Sequence, residues 1–161
     1  MLRSDLRRGE TAKALIRVRD ALRFEDLEEI ALSSQWGFLW NVEDWIGAFE
    51  GCKAVRSLHG GGPAMTSLFR VYGKSYAPKP VATDSPRTPP ALFPNLVSLV
   101  FVEVDLAGYG VADALLPWLR EQRAGGLTEL GIRDCKIYER HANAVREIFP
   151  DFDFQCLRYM G

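Results

Sequence analysis

The segment Leu127-Thr128-Glu129-Leu130-Gly131-Ile132-Arg133-Asp134-Cys135-Lys136-Ile137 constrains the fold more than any other part of the chain. Leu130 and Ile132 stand two residues apart, so in extended backbone both point to one face while Glu129, Gly131 and Arg133 point to the other. Cys135 is small enough to lie buried in the turn that follows. A short strand with one apolar face has to pair with neighbours and bury that face against another layer. The same apolar spacing returns in Leu96-Val97-Ser98-Leu99-Val100-Phe101-Val102-Glu103-Val104-Asp105-Leu106, with Val104 in the cysteine slot. Weaker copies are Leu27-Glu28-Glu29-Ile30-Ala31-Leu32 and Val55-Arg56-Ser57-Leu58-His59-Gly60, the latter with glycine in its third apolar slot.

The copies start at positions 27, 55, 96 and 127, spaced by 28, 41 and 31 residues. Their pattern is that of the leucine-rich repeat, whose period is roughly 20–29 residues. The expected fold is a single α/β domain over residues 1–161, a leucine-rich-repeat-like solenoid. It would have a short, mainly parallel sheet of four or five strands and helices on the convex side. The long interval contains Tyr76 to Pro90, which has five prolines and no sustained periodicity; it reads as an insertion over about 74–91.

Helical spacing fills the remaining intervals. Leu15, Val18 and Leu22 mark a first helix, and Val42, Trp45, Ile46 and Phe49 a second, with Asn41 as N-cap and Gly51 beyond its end. A short helix is expected over 65–73. Val111, Leu115, Trp118 and Leu119 predict another that stops at Gly125-Gly126 and either starts late or kinks at Pro117. Ala142, Val145 and Phe149 predict the last, ending before Pro150, and Phe152 to Leu157 alternates as a strand that would cover the open end of the sheet.

Composition narrows the function. A net charge of −1 gives no global field that would favour nucleic acid or an anionic membrane. Cys52, Cys135 and Cys156 are odd in number and form no C-x-x-C pair, which argues against a disulfide framework or a thiolate zinc site and for a reducing compartment, cytoplasmic or nuclear. No apolar run approaches the ~20 residues of a membrane span, and Met1 to Glu10 lacks the apolar stretch of a signal peptide.

Motifs of catalysis are partial. His59-Gly60-Gly61-Gly62 matches the oxyanion-hole segment of some esterases, but no G-x-S-x-G elbow accompanies it and only His141 remains as a base. A glycine-rich turn is the plainer account. Gly73-Lys74-Ser75 resembles the end of a P-loop, yet Leu68 stands where its first glycine belongs, and a solvated loop explains it. No cofactor and no metal are expected: the histidines and cysteines are dispersed, Cys52 and Cys156 read as small core residues, and Trp36, Trp40 and Trp45 read as core in preference to a stacking platform. Ser85-Pro86 and Thr88-Pro89 have the form of proline-directed phosphorylation sites, each worth roughly −1.5 to −2 charges if modified. An unmodified linker is the alternative.

Phe93-Pro94-Asn95-Leu96 leading into Leu99, Leu116 to Arg123 leading into the repeat at Leu127, and Ala144 to Pro150 together resemble the C-terminal leucine-rich region of fungal F-box proteins, the basidiomycete groups in particular. The resemblance covers 92–155 best and 12–62 more loosely. It implies a non-catalytic region that selects substrates for a ubiquitin ligase, the ligase adaptor being held by an F-box. No Leu-Pro-x-Glu-type F-box segment appears near Met1, so adaptor binding is expected only if an F-box lies upstream. A truncated structural or oligomerisation remnant is the alternative, and a small esterase-like hydrolase using His59 a remote one.

If the repeat register holds, four triplets project from the concave face: Glu29, Ala31 and Ser33; Ser57, His59 and Gly61; Ser98, Val100 and Val102; Glu129, Gly131 and Arg133. Their middle row, Ala31, His59, Val100 and Gly131, is a strip of mostly small and apolar groups with charges beside it. Such a surface suits a protein partner. Cover by the chain's own insertion or tail is the other reading.

Overall fold

The computed structural model describes residues 14–19, 24–32, 40–76, 92–108, 110–151, 154–155 and 157–160. The chain is α/β. Strands β1 (Glu29–Leu32), β2 (Ser57–Gly61), β3 (Ser98–Val102), β4 (Glu129–Arg133) and β6 (Phe154–Gln155) form a short, wholly parallel sheet in that spatial order. β5 (Lys136–Tyr138) and β7 (Arg158–Met160) pair separately, also in parallel, and Asp105 bridges to Lys136 beside them. Helix α1 (residues 14–19) precedes β1, and α2 (Val42–Phe49), α3 (Gly62–Tyr76), α4 (Val111–Gly125) and α5 (Glu139–Ile148) lie between strands in sequence.

Because each strand of the main sheet pairs with the next one in the chain, right-handed crossovers place every connecting helix on one face. Burial alternates accordingly. Ile30, Leu58, Leu99 and Leu130, with Phe101 and Ile132, are buried toward the helices, while Glu29, His59, Val102, Glu129 and Arg133 are exposed. The core is joined by rings: Phe69 of α3 meets Phe101 edge-on at 5.0 Å and Trp118 of α4 at 5.7 Å. A second chain of contacts runs from Trp40 through Trp45 (4.8 Å) and Phe49 (5.7 Å) to Phe93 (5.6 Å). The Trp45 indole N–H donates to Ser67 Oγ, whose hydroxyl donates to the Trp40 carbonyl, so the polar groups in this cluster are satisfied.

Helix ends follow their local chemistry. Asn41 Oδ1 accepts from the Asp44 N–H at 2.8 Å and Asp44 Oδ2 from the Asn41 N–H at 3.1 Å, a capping box that starts α2. Gly126, at φ 118°, closes α4.

The structure corrects several expectations. α4 does not start late: it runs from Val111 through Pro117, whose missing donor orphans the carbonyl of Asp113, a residue on the solvent side where water can serve it. The helix expected over 65–73 spans Gly62–Tyr76. It starts directly at the strand's end, with Pro63 in its first turn, where no N–H is needed. The insertion expected from 74 therefore begins no earlier than 77, and Gly73-Lys74-Ser75 lies in helix and not in a loop. Val18 is 43% exposed; Leu15 and Ile16 dock α1 instead, Ile16 lying against Gly47 of α2 and Arg19 donating to the Gly47 carbonyl. Leu22, Ser33, Trp36, residues 77–91 with Ser85 and Thr88, Phe152 and Cys156 lie outside the described residues.

Three successive strands are followed by a left-handed residue at one register position: Gly62 (φ 54°), Glu103 (55°) and Asp134 (52°). That turn swings the next slot back into the core, where Val104 and Cys135 are buried. Cys135 Sγ accepts from the Val104 N–H at 3.4 Å, and its S–H faces the carbonyls of Arg133 (3.2 Å) and Phe101 (3.9 Å). The thiol thus links adjacent strands and gives the Val104 N–H its partner. Burial, only partly offset by the Val104 and Arg133 backbone contacts, pushes it up to about 11. Cys135→Ala is expected to lower stability by about 1–3 kcal/mol, the penalty of a stranded buried donor, measurable by urea unfolding. A raised thiol pKa stabilises the fold fully below the free thiol's value near 9 and ceases to do so as pH rises through about 11. Wild-type stability should therefore fall over that alkaline window more steeply than that of Cys135→Asn.

Candidate protein-recognition face

The pairing register sets the face opposite the helices. Glu29, Ser57, Ser98 and Glu129 are successive Cα partners and form one row; Ala31, His59, Val100 and Gly131 form the next. Gly61, Val102, Arg133 and Gln155 form a third. Of the residues read as a binding face, all but Ser33 are thus brought together on one side of the sheet. Their rows arise because the strands pair in register and side chains alternate along each.

The middle row is low and partly apolar. A Cβ on Gly131 would come within 3.2 Å of both Val100 methyl groups, so Val100 leans across the glycine and the pair forms one shallow ledge. Val102, 36% exposed, extends it toward the ends of the strands. Glu29 and Glu129 stand on one side of the ledge and Arg133 on the other, and His59 is the exposed imidazole in the row.

The glycines after His59 have separate tasks. Gly60 faces the helices, where a Cβ would stand 2.2 Å from Met65 Sδ; Gly61 is paired with Val102; Gly62 makes the left-handed turn into α3. His141 lies on α5, on the other side of the sheet from His59, its Nε2 accepting from Arg140 Nε at 3.3 Å and standing 3.9 Å from Asp113 Oδ1. The two histidines do not converge. Among the described residues no group of three or more His, Cys, Asp or Glu is placed to hold a metal ion, and no helix is long and apolar enough to cross a membrane. Cys52, Trp40 and Trp45 are core residues.

Two cavities border the sheet's ends. At β1, an apolar hollow of about 420 Å³ is lined by Leu15, Phe24, Leu27, Ile30, Leu32 and Phe49 among others. At β4, a groove of about 350 Å³ runs between the strand and the segment after α5, adding Arg123, Phe149, Asp151 and Gln155 to Glu129, Gly131 and Arg133. Reading by period missed these four residues, because the fold gathers them from α4, the end of α5 and β6 and no spacing in the chain connects them. No family model, curated protein or solved structure matches the chain.

Proposed function

We propose that the chain is a non-catalytic protein-recognition domain of leucine-rich-repeat type, whose open sheet face, centred on Val100 and Gly131, holds a protein partner. The observation that carries this reading is the aligned ledge: one sheet face is packed by helices, while the other offers Ala31, Val100, Val102 and two glycines in register, bordered by charges. An apolar centre inside a polar rim is the general anatomy of protein interfaces. The repeat spacing, the strands in register and the aligned turns support the solenoid reading, and the resemblance to fungal F-box proteins suggests substrate selection for a ubiquitin ligase. An F-box elsewhere in the protein would be needed to reach the ligase adaptor.

The test is capture from native extract by the wild type, Val100→Asp and Arg133→Glu, with folding checked by circular dichroism and thermal unfolding. Val100→Asp places a charge at the centre of the face and is expected to weaken capture at least tenfold; Arg133→Glu, at the rim, should act mainly on association rate and salt dependence. Undiminished binding by both folded variants would refute the reading. The hollow at β1 favours a second one, self-association through the outer edge of β1, with which no other described strand pairs. Sedimentation showing a dimer that Ile30→Lys dissolves would support it.

A further inference from the structure

We propose that the open sheet face takes an amphipathic α-helix of basic character, laid across β2, β3 and β4 with small and apolar groups against Val100 and Gly131 and cations beside them. The inference rests on the protein-recognition reading above and names the class of partner.

The backbone favours a helical occupant. Ala31, His59 and Val102 are exposed on the face, and β2 and β3 each pair with a neighbour on both sides. Their N–H and C=O groups are turned to those neighbours, so the middle of the face meets a partner through side chains alone. An extended chain pressed onto the ledge would bury backbone groups with nothing to pair them. A helix satisfies its own backbone and brings only side chains. Its pitch also fits. One turn rises about 5.4 Å and neighbouring strands stand about 4.8 Å apart, so successive turns of a helix crossing the strands fall on successive members of the row Ala31, His59, Val100 and Gly131. Gly131, with Val100 leaning over it, keeps that row low enough for a helix to approach.

Charge sets the sign. Over the whole chain Lys and Arg nearly balance Asp and Glu, 20 against 21, but on this face they do not. Glu29 and Glu129 stand exposed at the two ends of one flanking row, about 14 Å apart over three strand spacings. On the other flank Arg133 is exposed, and the exposed Glu103 and Asp134 directly follow Val102 and Arg133. Among the described residues Arg133 is the only Lys or Arg in the three rows, and no ion pair joins it to any of these carboxylates. The frame around the ledge is therefore acidic. Its complement is a helix with cations three turns apart, about eleven residues, opposite Glu29 and Glu129, and a further cation toward Glu103 and Asp134. Such rim pairs choose the partner and speed its approach more than they tighten the complex, while the ledge excludes water at the centre.

The experiment uses the full chain and three fluorescent peptides of about fourteen residues, or four turns, each held helical by a hydrocarbon staple. One carries a stripe of alanine and leucine flanked by lysines, the second the same stripe flanked by glutamates, and the third the residues of the first in an order that breaks the stripe. Anisotropy at low salt should show the first bound about tenfold more tightly than either of the others, the scale of a few rim ion pairs, with its advantage over the glutamate peptide shrinking at high salt. Glu29→Lys combined with Glu129→Lys, with folding checked by circular dichroism, should abolish that advantage. Equal binding of the lysine and glutamate peptides, no binding of any, or an advantage that survives the double substitution would overturn the proposal. So would a striped and a broken lysine peptide binding alike, since charge attraction without a helix face would then suffice. Val100→Asp separates these outcomes from failure of the face: capture from extract that is sensitive to it while the peptides fail refutes the basic helix alone. Capture insensitive to it refutes the recognition reading and this inference with it.

Discussion

Phe69→Ala is expected to lower the free energy of unfolding by about 3–5 kcal/mol, the largest effect of any single truncation considered. Phe69 has no exposed surface and touches Phe101 of the sheet and Trp118 of the neighbouring helix, at 5.0 and 5.7 Å between ring centres. Removing it takes away apolar burial and the ring-on-ring contacts together, and leaves a void between two layers. Those layers are held by continuous backbone ladders and helix packing, so they have little freedom to close on it. Urea unfolding followed by tryptophan fluorescence measures the change. A loss below about 1 kcal/mol would mean that the layers collapse and that the ring is not the tie between α3, α4 and β3.

Gly60→Val is expected to cost about 3 kcal/mol despite valine's preference for strands. Gly60 occupies the slot filled by Phe101 and Ile132 in the next two strands, and it is empty because the Met65 side chain uses the space: a Cβ at Gly60 would lie 2.2 Å from Sδ and 2.4 Å from Cγ. Met65 is itself buried, so it has no solvent into which to retreat. The explanation makes a stricter demand through a double-mutant cycle. Met65→Ala alone should cost about 2–5 kcal/mol. Combined with Gly60→Val it should cost at least 1 kcal/mol less than the sum, because valine refills the vacated volume. Strict additivity would show that Gly60 is required for backbone reasons and not for packing.

These two positions show where the chain could be read and where it could not. Leu99, Phe101, Leu130 and Ile132 were legible because period-two alternation between buried and open faces is a local property of extended backbone. It carried the register of β2, β3 and β4 and so the rows of the candidate face. Gly60 was legible only as a gap, since nothing near it in sequence says that a methionine five residues on takes its place. α3 was underestimated because Gly62-Pro63 and Gly73 read as breakers, whereas the structure uses Gly62-Pro63 as a helix start and accommodates Gly73 inside. Val18 was misplaced because Leu15 and Val18 share a helical stripe only if the docking face is centred between them, and it is centred on Leu15 and Ile16. The small sheet of β5 and β7 was missed altogether: strands of three residues carry too short an alternation to stand out. The groove's charges were beyond reach for another reason, being tertiary neighbours drawn from separate elements.

The in-register parallel sheet bears also on how freely the chain can vary. Ser98 follows its partner Ser57 by 41 residues, whereas Glu129 follows Ser98 by 31. Loop-closure entropy grows only with the logarithm of length, so the longer excursion costs about 0.2 kcal/mol more than the shorter. Both excursions deliver the next strand to the same slot. Length between strands is therefore nearly neutral to the fold, while a shift of one residue within a strand would exchange its two faces. Selection acting on this architecture meets rigid five-residue frames separated by stretches whose size it can change almost without penalty.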